Sequence, residues 1–152
     1  MSDARFEDGV DKPLRLIAFE VDDLHVISTM VQDAVLPVSE MSWRPKERRF
    51  ALLLNRFRWE ATQQGSAERV QAVLSFEDVQ SIQSQGFDRA NPKLILSLLS
   101  VTFEVDTDGM GYCILTLAGG GAIRLKVEAL EASLRDVTRP YVAPSGMTPN
   151  HD

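Results

Sequence analysis

Alternation of apolar and polar positions is the dominant pattern in this chain, and it predicts strands over most of its length. Both alternating faces of residues 14 to 21 carry apolar residues, with Leu14, Leu16 and Ala18 on one face and Ile17, Phe19 and Val21 on the other. This pattern predicts a strand buried on both faces. Asp22 and Asp23 then supply the acidic residues typical of a helix start. Apolar residues follow at helical spacing, at Leu24, Ile27, Val31, Ala34 and Val35. Pro37 ends this stripe, so the sequence predicts a strand followed by a helix.

The centre of the chain reads as a series of antiparallel hairpins. Residues 40 to 43, a turn at 44 to 47 and a strand at 48 to 60 form the first of them. Asp108-Gly109 and Gly119-Gly120-Gly121 predict two later hairpin turns. Further predicted strands cover residues 70–76, 99–105, 112–118 and 123–127. Residues 77 to 87 fit either a short capped helix or a bulged strand, and β-branched Val79 and Ile82 favour the strand.

A second helix is predicted near the C-terminal end, because Leu130, Leu134 and Val137 share one helical face. The fold class is therefore α+β, with a mostly antiparallel sheet of about six to eight strands. Two helices pack on it, one after the first strand and one at the C-terminal end. A pleckstrin-homology-like barrel with a C-terminal helix is the nearest fold analogy, and it carries no function. Residues 17–24 echo residues 123–130, through either pseudo-symmetry or two similar strand-to-helix junctions.

Length and composition bound the organisation of the chain. A chain of 152 residues is expected to form one domain. Residues 1–12 are acidic and residues 139–152 are rich in proline, so both are predicted to be disordered tails around a body at 13–138. No apolar run resembles a secretory signal or reaches the ~20 residues that cross a bilayer. We expect a cytoplasmic protein without membrane contact.

A basic block interrupts the acidic chain. Residues 44 to 58 hold six bases against one acid, Glu47, whereas the remaining residues hold ten bases against 21 acids, for a net charge of −6 overall. Both tryptophans flank this block. The predicted binding residues are Trp43, Arg44, Lys46, Arg48, Arg49, Arg56, Arg58 and Trp59. The predicted partner is an acidic protein or a second copy of the chain, and the alternative is a nucleic acid or a small anion bound by the same arginines. Nucleic acid ranks lower because the rest of the surface repels a polyanion.

Two observations leave this surface open to another interpretation. Strand alternation places Arg56 and Arg58 on the same face as the apolar Phe50, Leu52 and Leu54. At ~3.3 Å per residue, Arg48 and Arg58 lie roughly 33 Å apart along the strand, which favours two clusters over a single pocket. The alternative is that these bases pair with the surplus acids and protect the sheet from edge-to-edge aggregation.

Catalytic and metal chemistry find little support in the residue types present. Only His25 and His151 are available as imidazole bases, and the single cysteine, Cys113, alternates in phase with core leucines. The glycine run is not followed by the lysine that a phosphate-binding loop needs. Residues 106 to 111 open like a calcium loop, but Met110 and Leu117 stand where oxygen ligands are required. We expect no enzyme activity, no cofactor and no metal site.

Three segments resemble a bacterial family of short proteins, known as a domain of unknown function. They are the run from Val73 to Asp88, the residues Leu96 to Leu99, and the run from Leu117 to Glu131 followed by Asp136. The resemblance covers residues 14 to 138. It implies a stand-alone cytoplasmic bacterial protein of about this length, and it brings no catalytic residues.

Overall fold

The computed structural model describes residues 12–60 and 68–142, which form eleven strands and one α-helix. The elements are β1 (Arg15–Ala18), α1 (Val21–Met30), β2 (Val35–Pro37), β3 (Met41–Arg44), β4 (Arg49–Phe57), β5 (Glu68–Phe76), β6 (Val79–Gln85), β7 (Ile95–Val105), β8 (Gly111–Leu117), β9 (Ala122–Val127), β10 (Ala132–Asp136) and β11 (Tyr141–Val142). A short 3-10 helix, Val38–Glu40, joins β2 to β3.

All eleven strands belong to one antiparallel sheet. Its order is β1-β10-β5-β4-β2-β7-β8-β9-β6, with β11 added to β5 and β3 added to β4. Inner-face residues from Ala18 on β1 to Val79 on β6 join a single hydrophobic core. Because one face of one sheet surrounds one core, the sheet is strongly curved.

Side-chain alternation explains which face of the sheet is buried. On β4, Phe50, Leu52 and Leu54 point inward, and they stand opposite Phe76, Leu74 and Ala72 of β5. The next strand continues these rows, with Ala132 opposite Phe76 and Leu134 opposite Leu74. These aligned apolar rows fix the register, since a shift of one residue would turn every row outward.

Helix α1 confirms the predicted helix after the first strand, although it ends earlier than expected. Leu24 and Ile27 face the core, and the Ser28 hydroxyl accepts a 2.9 Å hydrogen bond from the Val101 backbone N–H. Asp33 then adopts a left-handed conformation, with φ of 65°. The Asp33 N–H bonds to the Leu98 carbonyl, so the chain leaves the helix to join β7. Pro37 lies in β2 and is not the helix stop.

The predicted C-terminal helix is wrong, as is the strand count. Residues 132–136 form β10, inserted between β1 and β5. Leu130 and Leu134 fit a helical stripe, but the buried Ala132 and Leu134 also alternate with the less buried Ser133 and Arg135 and complete two core rows. Tertiary pairing therefore overrides the local pattern. The pleckstrin-homology-like analogy also fails, because it required this C-terminal helix. The similarity between residues 17–24 and 123–130 does not reflect two equivalent units, since the first segment leads from a strand into a helix and the second leads from one strand towards another.

The predicted boundary of the folded body at residue 138 is too early. Tyr141 and Val142 form β11 and pair with Arg69 and Glu68 of β5. The Asn55 side-chain amide donates a 2.6 Å hydrogen bond to the Tyr141 hydroxyl, which ties this short strand to β4. Of the tails predicted at 1–12 and 139–152, residues 1–11 and 143–152 lie outside the described residues.

Candidate functional site

The basic block forms the β3–β4 hairpin and the strand that leaves it. The hairpin turn is closed by the Arg48 N–H, which donates to the Pro45 carbonyl at 3.1 Å, and Arg48 takes a positive φ of 56°. Arg44 and Lys46 are exposed at this turn. Neither side chain makes a salt bridge within the described part of the chain.

Two further arginines of the hairpin are exposed but paired. Arg48 forms a salt bridge with Glu128, which also accepts a hydrogen bond from Gln80. Arg49 Nε lies 2.9 Å from Glu77 Oε2. Hydrogen bonding to its carboxylate raises the pKa of each arginine. Because water screens exposed pairs of this kind, they orient the arginines more than they stabilise the fold.

Arg56 is buried inside the molecule, with a side chain that is 0% exposed. Its Nε lies 2.9 Å from Asp136 Oδ1, and its terminal nitrogens bond to both oxygens of Glu60 at 2.9 and 2.6 Å. Burial by itself would lower the pKa of Arg56, but its hydrogen bonds to Glu60 and Asp136 raise it. Arg56 therefore joins β4 to β10 and stays charged in the interior.

Arg58 and Trp59 are also held within the structure. Arg58 is 3% exposed, and its Nη1 lies 2.6 Å from Glu68 Oε1. The indole N–H of Trp59 donates to the Gln32 carbonyl at 3.0 Å, and the ring meets Phe57 edge to face at 4.8 Å between centroids.

These contacts correct three predicted binding residues, Arg56, Arg58 and Trp59. Arg56 and Arg58 are not surface residues, because strand alternation turns them inward with Leu52 and Leu54, where acids neutralise them. Trp59 does not flank a common surface with Trp43, since its indole is bound to the turn after α1. The bases therefore do not converge: Trp43, Arg44 and Lys46 are exposed and make no salt bridge within the described residues, whereas Arg48 and Arg49 are exposed but paired.

An apolar recess lies beside this exposed part of the hairpin. It measures about 120 Å³ and is bounded by Met41, Phe50, Ile82, Ser84, Phe87, Arg89 and Ile123. Met41 belongs to β3 and Ile82 to β6, so the recess separates two strands that are not paired with each other. Trp43 lies on the same face of β3 as Met41, 37% exposed.

Two glycines allow the close chain approach that shapes one wall of this recess. Gly86 has a φ of +80°, and a Cβ there would lie 2.7 Å from Gly121 Cα. A Cβ on Gly121 would lie 3.3 Å from the Phe87 ring. Only glycine fits such contacts, so the 119–121 turn packs directly against the end of β6 and helps to position Phe87. In the glycine run this packing role belongs to Gly121, whereas Gly119 and Gly120 have positive φ and nothing within 4 Å of a built Cβ.

Sequence reasoning missed the recess and the acids that neutralise the arginines. Phe87 and Arg89 lie one and three residues after Gly86, and an aromatic residue and an arginine close behind a glycine were the available signal. Nothing in the sequence marked Asp136 as a partner of an arginine, because the predicted C-terminal helix included it. Its distance of 80 residues from Arg56 along the chain also hid the pairing.

The other candidate chemistry remains isolated in the described residues. His25 is exposed on α1. Cys113 is buried, and desolvation raises the pKa of its thiol to about 12. Residues 12–60 and 68–142 contain no cluster of three metal-ligating side chains. No helix in these ranges combines the length and apolar character needed to cross a membrane.

Comparison with protein families matches residues 14–151 to a family described as a protein of unknown function, DUF2948. The chain belongs to this family. The DUF2948 match spans both the hairpin and the recess, and it confirms the resemblance seen in the sequence. A search of curated proteins gives no match to this DUF2948 member.

Proposed function

We propose that this protein is a non-enzymatic, cytoplasmic bacterial interaction module whose β3–β4 hairpin binds an acidic segment of another protein. The observation that carries the proposal is the position of Trp43, Arg44 and Lys46. These three residues are exposed on the hairpin whose Met41 and Phe50 line the apolar recess. An exposed aromatic ring and cationic side chains on an element that also borders an apolar site are consistent with a protein interface.

The charge preference of this surface rests on few side chains. Arg44 and Lys46 make no salt bridge within the described residues, and Arg89 at the edge of the recess makes none either. Glu47 and Asp88 lie beside them in the chain, so the local excess of positive charge is small. Electrostatics then selects acidic partners and speeds association, while apolar contact in the recess supplies most of the affinity.

Binding of nucleic acid or a small anion by the same arginines has no comparable support. Arg48, Arg49, Arg56 and Arg58 already hold carboxylates, two of them inside the protein. A phosphate would have to displace an acid from each. We therefore do not extend the proposal to nucleic acid.

Selection from a phage library of random 12-residue peptides on the immobilised full chain tests the proposal. We expect enriched peptides to carry an apolar residue flanked by Asp or Glu. Reversing two charges, with Arg44→Glu and Lys46→Glu, should weaken a synthetic peptide of the selected consensus about tenfold or more, which corresponds to about 1.4 kcal/mol.

The matched control is Arg15→Glu with Arg135→Glu. This variant makes the same change in net charge at two exposed arginines that face each other on β1 and β10. Equal loss of binding in both variants would mean that only net charge matters, and would overturn the proposal. Self-association through the hairpin would show as a change in the sedimentation of the hairpin variant alone. Preferential binding of a 20-nucleotide single strand, abolished by the hairpin variant, would favour the nucleic-acid alternative.

A further inference from the structure

Strand β6 is the last strand of the sheet formed by residues 12–60 and 68–142, and none of these residues pairs along its outer edge. Among the described strands it pairs only with β9, and its one backbone bond to another segment is the Val79 N–H to the Arg48 carbonyl at 2.9 Å. The strand reads Val-Gln-Ser-Ile-Gln-Ser-Gln, with neither charge nor proline. Natural edge strands usually carry such residues because they block pairing with another chain. The only irregularity of β6 that could hinder such pairing is a register shift between Val79 and Ser81, and residues 81–85 beyond it pair regularly with β9.

The open edge of β6 borders the apolar recess. Ile82 and Ser84 line it from β6, whereas Met41 lines it from β3. Strand β3 pairs only with β4 among the described strands, so it also presents an open edge. Strand β6 meets the hairpin turn between β3 and β4 at one end, where the Val79 N–H donates to the Arg48 carbonyl and where Gln80 and Arg48 share Glu128. Beyond that junction no backbone pairing joins β3 to β6 within residues 12–60 and 68–142.

We infer that the partner segment binds as an additional β-strand on the open edge of β6 and places one apolar side chain in the recess. This inference rests on the proposed function and specifies the conformation of the partner. The occupant is an extended acidic peptide of a different protein. Its backbone satisfies the unpaired N–H and C=O groups of residues 81–85, which gives affinity without sequence selectivity.

Selectivity then comes from the recess and its rim. A volume of about 120 Å³ admits a single apolar side chain, bounded by rings of Phe50 and Phe87. Alternate residues of an added strand point to the same face, so the neighbours of that side chain point away from the recess. Arg89 lies at the edge of the recess, and Arg44 and Lys46 lie at the hairpin turn. These positions favour carboxylates on both sides of the apolar anchor.

Amide hydrogen exchange of the ¹⁵N-labelled full chain tests strand addition, using the synthetic consensus peptide described above. An added strand should protect alternate amides between Gln80 and Gln85, namely those that point away from β9. N-methylation of the peptide should show the same period of two, with about tenfold losses at alternate positions and little effect between them. A peptide that binds through side chains alone would give neither pattern.

A pair of serine substitutions tests the recess. Ser84→Met fills the recess, whereas Ser81→Met adds the same side chain to the outer face of the same strand, opposite Lys126. We expect Ser84→Met to weaken the peptide about tenfold and Ser81→Met to leave it within about twofold. A peptide with alanine at its apolar position should bind weakly and lose its sensitivity to Ser84→Met. That result separates occupancy of the recess from damage to the strand.

The outcomes distinguish the two proposals. If no peptide depends on Arg44 and Lys46, the proposed function fails, and strand addition fails with it. If binding depends on the hairpin charges but shows no alternate protection on β6 and equal effects of the two serine variants, strand addition alone is overturned. Alternate protection on β6 together with the Ser84→Met loss supports both.

Discussion

Arg56 shows how a residue chosen for binding can serve folding instead. Its guanidinium is fully buried and holds two carboxylates from different parts of the chain, Glu60 and Asp136. Asp136 is itself 3% exposed and also accepts a hydrogen bond from the Leu14 N–H at 2.9 Å. The group thus joins β4, β10 and the segment before β1. A planar donor with five N–H groups suits this position, which an ammonium ion would satisfy less completely.

Removing the Arg56 side-chain charge should therefore destabilise the protein strongly. Arg56→Met leaves the Asp136 carboxylate buried without its partner, and breaking a buried pair in this way costs about 3–5 kcal/mol. Urea unfolding followed by circular dichroism measures the change. The matched control is Arg49→Met on the same strand, where the pair with Glu77 is exposed and screened by water, so the expected loss is much smaller.

Comparable losses in the two methionine variants would show that the buried position of Arg56 carries no special weight. A partial rescue by Asp136→Asn in the Arg56→Met background would confirm the cause, because the orphaned charge is then removed. Arg56→Lys provides a milder form of the test should Arg56→Met prove too unstable to measure.

At the scale of elements, the contact between the end of β6 and the β8–β9 turn depends on the absence of a side chain at Gly86. Gly86→Ala should destabilise the protein by more than the backbone conformation alone explains. The new Cβ would lie 2.7 Å from Gly121 Cα, in addition to the strain of a positive φ. We expect a loss of roughly 2–4 kcal/mol, again measured by urea unfolding.

Gly109→Ala is a closely matched control, because Gly109 has a φ of +79° and nothing within 4 Å of its built Cβ. This variant should lose only about 1 kcal/mol from backbone strain. The Gly86 variant should also weaken the selected peptide, since Phe87 shifts with the chain, whereas the Gly109 variant should not. Equal losses of stability would show that chain crowding at Gly86 is relieved by a small movement.

The predictability of each element followed from how many patterns it could satisfy. Strands β5, β8 and β9 carry strict alternation and clear turn residues, so their period of two had no competitor. Strand β6 was correctly favoured over a helix because of its β-branched residues, including the bulge. Residues 130–137 satisfied both periods at once. The deciding factor was that β1 and β5 can each pair with a strand placed between them, which no local pattern reveals.

At the scale of the whole molecule, most of the basic block is a row of arginine–carboxylate pairs along β4 and not a separate surface. Its four paired arginines all belong to β4 or its immediate flanks, and their acids come from Glu60, Glu68, Glu77, Glu128 and Asp136. The sequence showed the clustered cations and the surplus of acids. Which acid meets which base depends on strand order, so only the exposed part of the site, Trp43, Arg44 and Lys46, followed from sequence.

These pairs predict that the folded state loses stability in acid. Burial by itself would raise the pKa of Glu60, but hydrogen bonds and charge from Arg56 lower it below its usual range. Hydrogen bonding from Arg48 and Gln80 likewise lowers the pKa of Glu128. A carboxylate whose pKa is lower in the folded state binds fewer protons there than in the unfolded chain. Its stabilisation is therefore complete above its unfolded pKa of about 4.3 and is lost as the pH falls below it.

The free energy of unfolding should accordingly stay level from about pH 7 to 5 and fall steadily below pH 5. Urea unfolding at half-unit steps measures this curve. Glu60→Gln should flatten the part of this curve below pH 5, because this variant has no proton to gain at that position on unfolding. The control is Glu47→Gln, which removes a turn carboxylate that makes no salt bridge within the described residues and should leave this part of the curve unchanged. Superimposable acid limbs for these two variants would show that Arg56 does not hold Glu60 ionised. The paired side chains along β4 would then contribute packing, but they would not make the free energy of unfolding depend on pH.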